Sequence, residues 1–311
     1  MKKIFLLLFL LLITNKTFSQ IYFPNNESVQ NRNQNFTAFI NAKIYVTPTQ
    51  IINKGTLLIQ KGKVISAGTT IPIPKNTIVV NLDGKTIYPS FIDLYTSFGI
   101  EKPKSTSPMS RGQLYDTKRA GYYWNENIRS EVNAFENYKY DTSKAEEFLK
   151  SGFGVVGTHV QDGIARGTGT LIALNNFDNS KRLLANKITN HFGFTRSALT
   201  TQSYPSSLMG MMALIRQMYF DMDWYKKGNS ETKDISLEAL IENQNLVQLF
   251  ASEDKLNSLR ASKIAKEFGI NYILKGSGNE FERIDEIKKT NAKFIIPVNF
   301  PEAYDVSDPI Q

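Results

Sequence analysis

The stretch Asn81-Leu82-Asp83-Gly84-Lys85-Thr86-Ile87-Tyr88-Pro89-Ser90-Phe91-Ile92-Asp93 decides how the rest of the chain is read. Asn76 to Leu82 reads as a strand, Asp83-Gly84 as a turn, and Lys85 to Tyr88 as a short closing strand. Pro89 changes the texture. Ser90 to Tyr95 is apolar enough for a buried strand. One kind of module ends here and another begins.

Upstream, Phe39 to Val46 and Gly55 to Gln60 read as strands. Lys61-Gly62 separates Gly55–Gln60 from Lys63–Ala67, and two alternating runs around such a pair make a β-hairpin. Residues 38–88 therefore form a small β-sheet module. Residues 20–37, rich in Asn, Gln and Ser, read as a flexible lead-in.

Downstream, residues 89–311 form the second region, with a polar, aromatic insertion at about 100–140. Thr142 to Lys150 is amphipathic, with Asp141 or Thr142 as its cap and Ala145, Phe148 and Leu149 on one face. It runs into a strand, Gly152 to Thr158, and Leu171 to Leu174 is another. Ser207 to Lys227 has a helical period whose Leu208, Met211, Met212, Ile215, Met218 and Tyr219 make a core stripe. Leu237 to Ile241 is a short helix. The tail then alternates regularly. Leu246–Ala251 is a strand, Lys255–Phe268 a helix stopped by Gly269, and Asn271–Lys275 a strand. Glu280–Thr290 is a helix and Lys293–Val298 a strand. This β-α-β-α-β order argues for parallel strands covered by helices, and so for an α/β fold.

The 311 residues contain no Cys and two His, with 37 Lys and Arg against 29 Asp and Glu. Disulfides, zinc ribbons and cysteine nucleophiles are excluded. A His-based metal site has two imidazoles at most, whereas catalytic zinc usually takes three protein ligands. The surplus of +8 is scattered, with no aromatic-basic stripe, so no nucleic-acid partner is expected. Lys2-Lys3, the apolar run Ile4 to Ile13, and Thr17-Phe18-Ser19 form a three-part secretory signal at 1–19, cleaved after Ser19. The run is too short to span a bilayer. The mature protein is expected to be exported, periplasmic or extracellular, with no stable membrane anchor.

Ile40 to Tyr45, Ile52 to Ile59 and Lys61 to Gly68, followed in order by Asn81 to Asp93, resemble the opening of the amidohydrolase superfamily, its imidazolonepropionase-like branch in particular. There a "G-K-x-x-x-P-G-x-I-D" turn leads into the first strand of the barrel. Tyr204 to Gly210 and Ile215-Arg216-Gln217 are similar to a long exported bacterial branch. The resemblance implies a small N-terminal β-sandwich module followed by an incomplete metal-dependent-hydrolase-type (β/α) TIM-like barrel. The activity it implies is hydrolysis of non-peptide carbon–nitrogen bonds by metal-activated water.

In that family the first barrel strand ends in His-x-His. The matching positions here are Tyr95 and Ser97. Where later His ligands stand, this chain has Phe250-Ala251 and Lys275, and the last family ligand, an Asp, would fall beyond Gln311. Phenol, hydroxyl and ammonium are poor replacements for imidazole. No metal and no cofactor are therefore expected in this chain. Zinc or another divalent metal would belong to a full-length protein.

Asp93, Tyr95 and Ser97 share a strand face by parity, and a hydrogen-bond network among them would fill the vacated site. His159, at the end of a strand, could pair with Asp162 as base and orienter, though local hydrogen bonding is preferred. His191 is expected at the surface or in packing. Arg166-Gly167-Thr168-Gly169-Thr170 reads as a tight glycine turn before a strand, and its arginine could anchor an anion. Glu253 or Asp254 is expected as a helix-start residue.

Three functions follow. The first is a structural N-terminal portion of a longer exported protein, partnered by the rest of that polypeptide or by a second amidohydrolase-like unit. The second is an active hydrolase whose ligands lie downstream. The third is an exported peptide- or glycan-binding module using Tyr122, Tyr123 and Trp124, residues that on the preferred reading cap the barrel.

Overall fold

The computed structural model describes residues 36–104, 119–175 and 179–298. The secretory signal at 1–19, nearly all of the lead-in, residues 105–118 of the insertion and the tail beyond 298 lie outside the described residues. The chain divides into two compact units between Pro89 and Ser90.

The first unit is a five-stranded sheet. β1 (Thr37–Tyr45) pairs antiparallel with β2 (Ile51–Gln60), which pairs antiparallel with β3 (Lys63–Gly68). Lys61 (φ 51°) and Gly62 (φ 73°) both take positive φ, the conformation a two-residue hairpin demands. β4 (Ile78–Asn81) and β5 (Thr86–Ile87) both pair parallel with β1, joined through the Asp83-Gly84 turn. Ala42, Ile44 and Leu57 form the buried centre of this unit.

The second unit carries a seven-stranded sheet flanked by helices. Its strands are β6 (Phe91–Thr96), β7 (Phe153–Thr158), β8 (Ala165–Ala173), β9 (Leu183–Gly193), β10 (Val247–Ala251), β11 (Tyr272–Lys275) and β12 (Lys293–Ile295). They lie side by side in chain order. The fold is thus mixed α/β: a small N-terminal sheet with antiparallel and parallel pairs, then a parallel-rich sheet flanked by helices.

One strand departs from the parallel rule. β8 runs antiparallel to both β7 and β9. Only residues 159–164 join β7 to β8, too few for the helical crossover that parallel pairing requires. The expected glycine turn at Arg166–Thr170 is corrected by the same observation. Those residues sit inside β8, all buried, with a register break between Ala165 and Gly167. Leu183–Gly193, which carries little alternation, is a long strand that the sequence reading missed.

The helices follow their signals. α1 (Thr142–Lys150) is capped by Asp141, whose carboxylate accepts from the Lys144 N–H. α2 (Leu208–Lys226) is capped by Ser207, and α3 (Ile235–Glu242) by Asp234. α4 (Lys255–Phe268) is capped by Asp254, which accepts from Leu256 and Asn257, and ends at Gly269 in the left-handed region. The predicted helix at Glu280–Thr290 opens as a 3-10 turn, Glu280–Arg283, before α5 (Ile284–Thr290). Among the described residues no helix is long and apolar enough to cross a membrane.

The main core lies between the sheet and α2, α3 and α4. Phe192, Phe250 and Leu274 from the strands meet Ile215, Met218, Leu240 and Ile264 from the helices. Each such fully buried side chain contributes about 1.5–3 kcal/mol. The described end of the insertion joins this core. Tyr123 is 1% exposed and Trp124 packs against the cluster. The Tyr123 hydroxyl donates to Asp221 (2.6 Å), and Gln202 donates to the Trp124 carbonyl (2.8 Å). The aromatic trio is therefore no exposed binding platform: its middle member is interior.

Candidate functional site

In parallel strands the C-terminal ends share one edge of the sheet, the edge where barrel-type folds place their chemistry. β6, β7, β9, β10 and β11 bring Tyr95, His159, Thr195, Glu253 and Lys275 to that edge or just past it. Because β8 runs the other way, its first residues arrive there too, and Arg166 is among them.

Arg166 organises the edge. Its Nε donates to the Gly163 carbonyl (2.9 Å), Nη1 to the Tyr95 hydroxyl (3.0 Å) and Nη2 to the Thr195 hydroxyl (3.2 Å). Thr195 donates onward to the Glu253 carboxylate (3.0 Å). The guanidinium fits because residue 193 is glycine. A Cβ there would stand 2.3 Å from Arg166 Nη2. The Lys275 ammonium approaches the Tyr95 ring, 6.0 Å from its centroid.

Below this layer lie the only two histidines of the chain. Both are buried, and their rings stack with centroids 3.5 Å apart and planes 7° from parallel. Tyr95 packs edge-on against His159 at 4.5 Å. His191 Nε2 pairs with the Thr189 hydroxyl at 2.7 Å. No well-aligned hydrogen bond reaches either ring nitrogen of His159 or Nδ1 of His191 among the described residues, although the Thr96 backbone lies beside the His159 ring. Burial holds both imidazoles well below the usual histidine range. The neighbouring ring and the Arg166 charge add to this for His159, and the Arg166 charge does so for His191. Burial raises the Tyr95 phenol, partly offset by Arg166.

The sequence candidates are thus partly gathered and partly dispersed. Tyr95, His159 and Lys275 converge. Asp162 does not pair with His159. Its carboxylate accepts from Ser197 Oγ (2.5 Å) and the Ala198 N–H (2.7 Å), with Arg129 at 3.7 Å. Asp93 accepts from the Tyr95 N–H (3.0 Å), and Ser97 lies past the strand end. The network expected among Asp93, Tyr95 and Ser97 is replaced by one between Tyr95 and Arg166. His191 is interior, in the packing role that was one of its two expected places. Thr195 was not singled out from the sequence. No local pattern marks it, because its role depends on a strand 29 residues away in sequence.

A divalent cation does not fit these residues. A buried guanidinium lies against the Tyr95 phenol and an ammonium approaches its ring, and none of the three is a good ligand for a divalent ion. The two rings lie in near-parallel planes with centroids 3.5 Å apart, so in-plane lone pairs do not meet at one point. Among the described residues no group of three His, Asp, Glu or Cys side chains is close enough to hold a metal ion.

No protein-family model matches the sequence, and no curated protein matches it. Solved structures do. An amidohydrolase from Thermotoga maritima superposes with a TM-score of 0.66 at 19% identity, covering 84% of this chain and 70% of that one. A prolidase complexed with N-methylphosphonate-L-proline gives 0.39 at 10% identity, over 84% and 78% of the two chains. A second amidohydrolase gives 0.38 at 11%, over 84% and 77%. The first of these likenesses establishes an amidohydrolase-like fold.

Proposed function

We propose that this chain is a metal-deficient structural unit of the imidazolonepropionase-like branch of amidohydrolases. It would be exported with its first 19 residues removed. It would support a metal-bearing unit that hydrolyses non-peptide carbon–nitrogen bonds, in the same polypeptide or in a second chain. One observation carries the reading: Arg166, 4% exposed, occupies the strand edge and is tied to Tyr95 and Thr195. A fixed positive charge at this place raises the free energy of any cation brought beside it. Arg166 and Lys275 here act as plugs and braces for the scaffold.

Metal analysis tests the proposal. Protein purified from zinc-supplemented cells and dialysed is expected to carry substoichiometric metal. Stoichiometric zinc that survives dialysis would overturn the reading. Export is checked separately by the mass of the secreted chain, which is expected to begin at Gln20.

A further inference from the structure

The opposite edge of the sheet carries a cleft of about 1400 Å³. It lies where the parallel strands β10, β11 and β12 begin and where α2, α4 and α5 end. Five lysines line it, Lys226, Lys263, Lys266, Lys289 and Lys293, and Asp223 is the one carboxylate among them. All six residues are exposed. Among the described residues, none of the five lysines makes an ion pair. Lys226 reaches the Gln244 side chain at 3.5 Å. Glu267, one turn from Lys263, is already held by the Arg216 guanidinium, whose Nη2 donates to it at 2.9 Å.

Helix ends explain part of this cluster. Lys226, Lys266 and Lys289 stand in the last turns of α2, α4 and α5, where a cation complements the helix dipole. Lys263 stands before the last turn of α4, and Lys293 is the first residue of β12, so neither has that reason to be there. Like charges gathered on a concave wall repel one another and focus a positive field into the cleft. A seated anion relieves that repulsion. The floor between the lysines is apolar: Val247 is 47% exposed, and Leu246, Ile270 and Ala292 are half-buried.

We propose that this cleft docks an acidic, partly apolar polypeptide segment of another protein. Three features select that partner. The lysines are spread along a cleft that crosses the starts of three strands, roughly 10 Å, so they suit several separate carboxylates better than one compact anion. The exposed Val247 and its half-buried neighbours ask for apolar side chains between those carboxylates, which a phosphate chain lacks. Tyr219 and Tyr272 are buried and Phe268 is half-buried, so the cleft offers no open ring on which a nucleic-acid base could stack. A second copy of this chain carries the same net charge of +8 and is repelled. The inference is independent of whether the opposite edge holds a metal.

Fluorescence anisotropy of the full chain tests it. The probes are a labelled octapeptide of six Glu with one Val and one Phe, the same peptide with Gln in place of Glu, and inorganic tripolyphosphate as competitor. The acidic peptide is expected to bind at 50 mM NaCl and to lose at least tenfold in affinity at 300 mM, as salt screens exposed charges. The Gln peptide is expected not to bind. Lys263→Gln/Lys293→Gln is expected to weaken binding at least fivefold, and Val247→Ser severalfold. Lys54→Gln/Lys150→Gln removes the same charge from exposed positions that do not line the cleft and is expected to change the affinity less than twofold. Circular dichroism of each variant checks that it is folded, and exposed lysines tolerate the change to Gln. Equal losses in the two double variants would reduce the effect to net charge and overturn the site. Tighter binding of tripolyphosphate, equal binding of the Gln peptide, or no binding of the acidic peptide would overturn it too. Self-association of the chain that Lys263→Gln/Lys293→Gln abolishes would assign the cleft to a second copy instead.

Discussion

The imidazoles of His159 and His191 lie face to face, 3.5 Å between ring centroids, although 32 positions separate them in sequence. Two neutral aromatic rings can stack this way, whereas two imidazolium ions in a buried site would repel each other. The edge is therefore built for uncharged histidines. The groups facing the pair are Tyr95 and the Thr96 backbone from β6, Arg166 from β8 and Thr189 from β9, none of them a carboxylate.

This sets a pH dependence whose sign is definite. Both histidines titrate below their ordinary value in the folded chain, so below about pH 6.5 the unfolded chain binds more protons. Stability is then lost as pH falls, by about 1.4 kcal/mol per pH unit for each histidine that the unfolded state alone protonates. Urea unfolding is expected to be nearly flat near pH 7.5 and to steepen toward this slope by pH 5.5, and His191→Gln to halve the loss. A flat profile over that range would contradict the geometry.

Asp162 serves the loop rather than His159. Asp162→Ala leaves the buried Ser197 Oγ and the half-buried Ala198 N–H without their acceptor. A loss of about 2 kcal/mol is expected from such orphaned groups. The ring resonances of His159 should stay where they are. A large shift in those resonances would revive the His–Asp pair.

The hydroxyls of Tyr219 and Tyr272 meet at 2.5 Å inside the core, one from α2 and one from β11. Either single change to Phe strands the other hydroxyl and should cost about 1–3 kcal/mol. The double change removes both polar atoms and should recover much of that loss. Denaturation of the four proteins completes the cycle, and strictly additive losses would show that the two phenols are not coupled.

Gly167 marks the register break in β8. Its φ is +79°, and a Cβ would stand 2.0 Å from the Val132 carbonyl oxygen, which accepts from the Thr168 N–H at 2.8 Å. Neither strain nor clash can be relieved by a side chain. Gly167→Ala is expected to cost about 3 kcal/mol or more, seen as a fall in the urea midpoint.

Much of the architecture was legible residue by residue. The Lys61-Gly62 hairpin, the Asp141 and Asp254 caps and the Gly269 stop depend on atoms within a few positions of one another, and the structure has each of them. The reading failed where a local signal has two meanings. Glycines in Arg166–Thr170 suggested a turn, but there they admit close approach of Val132, Thr189 and His191 inside a strand. Tyr122, Tyr123 and Trp124 allowed either an exposed aromatic surface or, as the preferred reading, a cap, and only the fold shows Tyr123 enclosed by Asp221 and the core cluster.

The sequence alone placed most of the helices and strands, and its two histidines and lack of cysteine limit the imidazole and thiolate ligands a cation could find. Tertiary structure alone decided that β8 turns back on its neighbours, that Arg166 thereby reaches Tyr95 across 71 positions, and that His159 lies on His191. Caps and turns are short-range forces acting within one segment. A buried guanidinium or a stacked ring pair exists only once separate strands have packed and excluded water.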